Sequence, residues 1–139
     1  MDSQVEGTIL TSFNILRHVA KKLQAYKEGV IIAITTAGVV IPQASQSLGA
    51  YTLAKYAVQG MLVMLKEELK NSGVRVYSVA PGFMEGGMNS DIPKAFVEII
   101  KSKSATKKIT SGEEVATKVL ELCIGHEENL THSIAPEYE

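Results

Sequence analysis

Apolar residues recur every three or four positions from about Thr8 to Ala25, where Ile9, Phe13, Leu16, Ala20 and Leu23 mark one face of a predicted helix. The run from Val30 to Thr35 lacks that period and is apolar almost throughout, as expected of a strand covered on both faces in a parallel sheet. Helical spacing returns from about Ala50 to Lys70. There Val58, Leu62, Leu65 and Leu69 form one stripe, Met61 and Met64 a second, and Asn71-Ser-Gly73 stops the helix. Two stripes imply two partners, the sheet and something else. A second strand is predicted at Val74 to Ala80. A short helix beginning at Pro93 is expected to turn Phe96, Ile99 and Ile100 inward. Ser111-Gly-Glu-Glu114 reads as a capping box for a last helix through about Cys123, and Ser133 to Ala135 as a last strand. No internal repeat, low-complexity segment or linker breaks this order. The predicted fold is α/β, a single three-layer unit over residues 1–139 with about three parallel strands flanked by helices.

Composition agrees with one core. The chain has 139 residues, is 45% hydrophobic and has a mean hydropathy of +0.09, enough to bury a sizeable interior. A net charge of −1 gives no reason to expect nucleic acid. The basic run from Lys101 to Lys108 lacks interleaved aromatics and reads as a solvated connecting segment. Cys123 is the one cysteine, so an intrachain disulfide is excluded, and its neighbours Leu120, Leu122 and Ile124 predict a buried structural thiol. No stretch approaches eighteen uninterrupted apolar residues, and the first residues carry neither a basic nor an apolar leader segment. A cytoplasmic protein without a membrane anchor is the expectation. His18, His126 and His132 are too scattered to suggest a metal site.

Chemistry enters at Tyr51-Thr-Leu-Ala-Lys55. A spacing of four puts phenol and ammonium on one helix face, where the cation is expected to lower the phenol pKa from its reference near ~10. A phenol tuned in this way exchanges protons near neutral pH. Thr35-Thr36 ends the preceding strand, and a hydroxyl there could hold a substrate carbonyl beside Tyr51. By itself the Tyr-x-x-x-Lys pair is common on helices. Its context is less so: strand, Thr-Thr, a loop with Gly, Pro and Ser, the pair, a long apolar helix, a strand, then Ala80-Pro-Gly-Phe-Met84.

In that order these pieces resemble the short-chain dehydrogenase/reductase family, and most of all its 3-oxoacyl-carrier-protein reductase-like members. The segment from Thr8 through Phe13 to Arg17 is similar to the family's Asn-x-x-Gly-Thr-Phe helix start, with Thr8 at the place of the Asn. Val30 to Thr36 resembles the strand that usually ends Asn-Ile-Ser-Ser, Gly73 to Gly82 the next strand with its Pro-Gly turn, and Asn129 to Ala135 the closing strand. The likeness spans nearly all of this chain but only the C-terminal half of a full member, a partial Rossmann-like unit lacking the N-terminal dinucleotide-binding half.

The resemblance implies NAD(P)-dependent reduction of a carbonyl or oxidation of an alcohol. Tyr51 would be the acid or base, Lys55 its modulator and a ribose contact, Thr36 the substrate-orienting hydroxyl and Thr8 a relay residue. Pro81, Gly82, Phe83 and Met84, together with Tyr51 and Lys55, would face NADP or NAD. Several departures accompany this. Thr8 and Thr36 replace Asn and Ser, and the interval from Thr36 to Tyr51 is about two residues longer than the family's, leaving Ser45 as a distant alternative hydroxyl. Gly86 stands where a Thr commonly contacts the carboxamide. Gly86-Gly87 comes too late, and lacks the third glycine, to act as the family's pyrophosphate-binding turn. The helices near Thr8 and Ala50 resemble those that build family oligomers, and the strand at Val30 to Thr35 would have an open edge. A homo-oligomer, or a complex with a separately encoded first half, is therefore expected, with poor stability as a monomer. A non-catalytic interaction module that keeps those helices is the alternative.

Overall fold

The computed structural model describes residues 3–41, 49–104 and 107–135. Helix α1 (Ser3–Tyr26) leads into strand β1 (Gly29–Ile34) and a single 3-10 turn at Ala37–Val39. Helix α2 (Ala50–Leu69), strand β2 (Val74–Pro81), helices α3 (Lys94–Lys103) and α4 (Gly112–Ile124) and strand β3 (Thr131–Ile134) follow. The strands form one parallel sheet in the order β1-β2-β3, with Gly29 opposite Val74 and Ser78 opposite Thr131. The fold is thus α/β, a partial Rossmann-like unit of three parallel strands flanked by helices.

Alternation along the strands divides the interior in two. Ile31, Val74 and Val76 meet Ala20, Val58, Leu62, Leu65 and Leu69 from α1 and α2. On the opposite face Tyr77 and Val79 pack with Leu122 of α4, joined by Val30, Ile32, Val115 and Val119. The central strand β2 is covered on both faces, and every residue from Val76 to Pro81 is buried. β1 differs from the expectation of full coverage, since Val30 and Ile32 are half-buried and Ile34 is 42% exposed. α4 lies over β2, so the face of β1 on that side is only partly screened.

Helix α1 begins at Ser3, earlier than the expected Thr8, because Val5 extends the inward stripe of Leu16, Ala20 and Leu23 by further turns. Phe13, expected on that stripe, lies at its margin and is exposed. All four stripe residues of α2 are buried, whereas Met64 projects outward at 76% exposure. In α3 the inward residues are Val97 and Ile100; Phe96 and Ile99, expected inside, are exposed. Cys123 is likewise exposed, which corrects the expected buried thiol: Leu122 takes the inward direction and the next residue turns about 100° away.

Local chemistry accounts for the element ends. Gly73 has φ +78, and a Cβ there would lie 2.2 Å from the Lys27 carbonyl oxygen, so the tight entry into β2 requires glycine. The capping box of α4 is present: Ser111 Oγ accepts from Glu114 N at 3.1 Å, and Glu114 Oε2 accepts from Ser111 N at 2.7 Å. At the other end of α4, Arg75 donates to the carbonyls of Leu122 and Cys123, each at 3.0 Å, and to Gly125. Among the described residues no helix is long and apolar enough to cross a membrane.

Candidate active site

The carboxyl ends of β1 and β2 and the first turns of α2 converge at the end of the sheet where open parallel α/β folds bind ligands. Gly49 caps α2 with extended backbone, which places Tyr51 in the first helical turn and Lys55 in the next. Lys55 Nζ donates to the carbonyl oxygen of Ile34 at 3.0 Å and stands 5.6 Å from the centroid of the Tyr51 ring. The last residue of β1 therefore anchors the ammonium, which lies within cation-π range of the ring. Tyr51 is 42% exposed.

This geometry corrects the expected electrostatics. Burial pushes the Tyr51 phenol above its ordinary pKa, and burial pushes Lys55 below its own. The ammonium is directed at the Ile34 carbonyl, so spacing on the helix face alone does not deliver a depressed phenol pKa.

The two threonines after β1 separate in role. Thr35 is buried: its Oγ1 lies 2.8 Å from Ser78 Oγ, and its backbone N donates to Val79 O at 2.8 Å. That hydroxyl pair closes the polar end of the interior between β1 and β2. Thr36 is half-buried with extended backbone (φ −152, ψ 148), heads the 3-10 turn and makes no capping bond with its side chain. Its hydroxyl is thus the one at this strand end not committed to the sheet. Thr8 is half-buried within α1 rather than at the helix start. No hydrogen bond among the described residues joins Thr8, Thr36, Tyr51 and Lys55 to one another. Ser45 lies outside the described residues.

Tyr56 was not singled out from sequence, yet its hydroxyl donates to Gly38 O at 3.0 Å and ties the turn after Thr36 to α2. Tyr56→Phe is expected to cost about 0.5–1.5 kcal/mol and to accelerate amide exchange at Val39–Ile41. Thermal denaturation and exchange NMR check both effects.

The turn after β2 is held from several sides. Gly82 N donates to Ile134 O at 2.8 Å and to Thr110 Oγ1 at 3.1 Å, Thr110 N donates to Phe83 O at 3.0 Å, and Asn89 Nδ2 donates to Met84 O at 2.7 Å. Phe83 and Met84 carbonyls are therefore already engaged within the chain. Beyond them the backbone turns through Gly86 and Gly87 at φ +87 and +56 into a 3-10 turn at Gly87–Asn89. A separate open groove runs between α4 and β3, lined by Ser111, Glu114, Thr117, Ser133 and Ile134, and includes none of the residues around Tyr51.

A family model described as enoyl-(acyl carrier protein) reductase matches residues 1–134. The chain belongs to the short-chain dehydrogenase/reductase family. It is 26% identical over 119 residues to the 3-oxoacyl-[acyl-carrier-protein] reductase FabG of Thermotoga maritima, a match that covers 86% of this chain and 48% of that protein. Its structure is similar to that of a 3-hydroxyacyl-CoA dehydrogenase type-2 from Mycobacterium avium, with a TM-score of 0.81 and 19% identity over 100% of this chain and 58% of the other. A 4-hydroxyisoleucine dehydrogenase complexed with NADH gives a TM-score of 0.78 at 21% identity, covering 95% and 56% of the two chains. The chain spans about half the length of the curated relatives it matches.

Within this short-chain dehydrogenase/reductase frame, the residues present suit one end of a dinucleotide. Lys55 and the Pro81–Met84 turn lie at the ligand-binding end of the sheet, where a ribose hydroxyl and a carboxamide would find a cation and backbone groups. A pyrophosphate calls for a strand, a glycine-rich turn and a helix N-terminus in succession. Gly86 and Gly87 instead follow β2 and lead into the Gly87–Asn89 turn, so they do not form such a cradle.

Proposed function

We propose that this chain is the substrate-facing half of an NAD(P)-dependent carbonyl reductase or alcohol dehydrogenase, with residues 1–139 acting as one α/β domain. It would work together with a region that carries the pyrophosphate site, in the same polypeptide or in another, or in a homo-oligomer. The observation that carries the reading is the Lys55–Ile34 hydrogen bond, which pins Lys55, and with it the adjacent Tyr51, to the carboxyl end of β1.

Thr36 offers its hydroxyl to the substrate carbonyl. Tyr51, whose pKa is raised, is protonated at neutral pH and gives that proton to the carbonyl oxygen as the alcohol forms. A nicotinamide cofactor held here would supply the hydride chemistry: its reduced form, NADPH or NADH, would give a hydride to a carbonyl carbon and leave as NADP or NAD. Lys55 would offer its ammonium to a nicotinamide ribose, Pro81, Gly82, Phe83 and Met84 would line the nicotinamide end, and Thr8 would support the proton path. The likeness to a 3-oxoacyl reductase favours a small-molecule carbonyl or alcohol of that general class. Exposed Leu10 and Phe13 on α1, and Leu53, Val63 and Met64 on α2, favour burial against a second protein surface. We place the reaction in the cytoplasm.

Calorimetric titration with NADPH and NADH, after light scattering has fixed the assembly state, tests this reading. Saturable micromolar binding is expected from the assembly that completes the dinucleotide site. A folded oligomer that binds neither dinucleotide, even with a pyrophosphate-binding region supplied, would favour the reading as an interaction module.

A further inference from the structure

We infer that Thr110 is a positioning residue for the nicotinamide-facing turn. The inference rests on the function proposed above and extends it to a residue outside the Tyr51 cluster. Thr110 is 4% exposed and precedes the Ser111 cap of α4. Its hydroxyl donates to Ile134 O at 2.7 Å and accepts from Gly82 N at 3.1 Å, while Gly82 N also donates to Ile134 O at 2.8 Å. The three groups close a triangle. A fourth bond, from Thr110 N to Phe83 O at 3.0 Å, fixes the next peptide.

One buried side chain thus joins the end of β2, the end of β3 and the entry to α4. The requirement is chemical. The group between Gly82 N and Ile134 O must accept from one and donate to the other, which a hydroxyl does and a methyl of equal size does not. Burial excludes water as a ready substitute, so the Thr110 hydroxyl and Ile134 O together hold the Gly82 peptide, and the hydroxyl also steadies the carbonyl that shares the task. That peptide begins the backbone offered to the carboxamide end of the cofactor, and the chain leaves it for the Gly86-Gly87 segment. Thr110 touches neither substrate nor the reacting atoms.

The test compares Thr110→Val, which keeps the volume, with Thr110→Ser, which keeps the hydroxyl, in the dinucleotide-binding assembly. Thr110→Val is expected to weaken NADPH or NADH binding by about threefold to tenfold, the effect of one hydrogen bond, and to shift the amide resonances of Gly82, Phe83 and Met84. Thr110→Ser is expected to restore both. Wild-type affinity in Thr110→Val, or an equal loss in both variants that follows their melting temperatures, would overturn the assignment. Should the wild-type assembly bind neither dinucleotide, the proposed function falls separately. Thr110 is then judged by the amide shifts, and unmoved Gly82–Met84 resonances in Thr110→Val would overturn it.

Discussion

Tyr51→Phe is expected to lower carbonyl reduction by about a hundredfold or more in the assembly that binds the dinucleotide, the usual scale for removing a positioned proton donor. The fold should be unaffected. Tyr51 is 42% exposed, and its hydroxyl makes no hydrogen bond within the described residues. Substrate KM should change little, because the phenol is asked to act as charge develops on the carbonyl oxygen. Steady-state kinetics beside a circular dichroism melt checks all three points. Unchanged turnover in a folded variant would remove Tyr51 from the mechanism.

The direction of the Tyr51 shift adds a pH dependence with a definite sign. With burial holding the phenol above its ordinary 10.0, the donor remains protonated throughout the neutral range. Reduction should therefore be nearly flat with pH in that range and fall only as pH passes the raised value. Alcohol oxidation, which needs the phenolate as base, should climb over the same alkaline interval. A depressed pKa would give the reverse pattern, with oxidation already active near neutral pH. The pH profiles of kcat in the two directions distinguish the cases.

Sequence made the layers of this fold legible because two periodicities dominate it. Val58, Leu62, Leu65 and Leu69 can share a face only on a helix, and all four are buried; the unbroken apolar run into Thr35 suits a parallel strand. Which of two adjacent stripes faces inward was less legible. In α3, Phe96 and Ile99 form as good an i, i+3 pair as Val97 and Ile100, and only the approach of the sheet decides between them. Cys123 misled for a related reason, since its apolar neighbours are spaced by two, a strand period on a helix.

At the site, spacing of four placed Tyr51 and Lys55 on one face but could not reveal where the ammonium's hydrogen bond would go. The Ile34 carbonyl, distant in sequence, took it and left burial to set the phenol's pKa. Thr110 carried no signal at all. Threonine before a capping box is unremarkable until Gly82 and Ile134 are brought to it by the sheet.

Leu62→Ala is expected to cost about 2–5 kcal/mol, the range for truncating a fully buried leucine. Leu62 is 0% exposed and packs where α2 meets β1 and β2, among Ile31, Val58, Leu65 and Val76. Domains of this size commonly have about 5–15 kcal/mol in total, so a loss on that scale removes much of the margin. The open side of β1, where Ile34 is 42% exposed, leaves less burial elsewhere to offset it. The melting temperature should fall by about 10 °C or more. Met64→Ala is the matched control, with 76% of its surface exposed on the outer side of the same helix. As a monomer it should melt within a few degrees of wild type. If α2 joins an oligomer through its outer face, the Met64 effect grows with protein concentration, while the Leu62 loss is present at every concentration. Thermal melts over a dilution series separate the two contributions, and a Leu62→Ala melt equal to wild type would contradict the core described for α2 and the sheet.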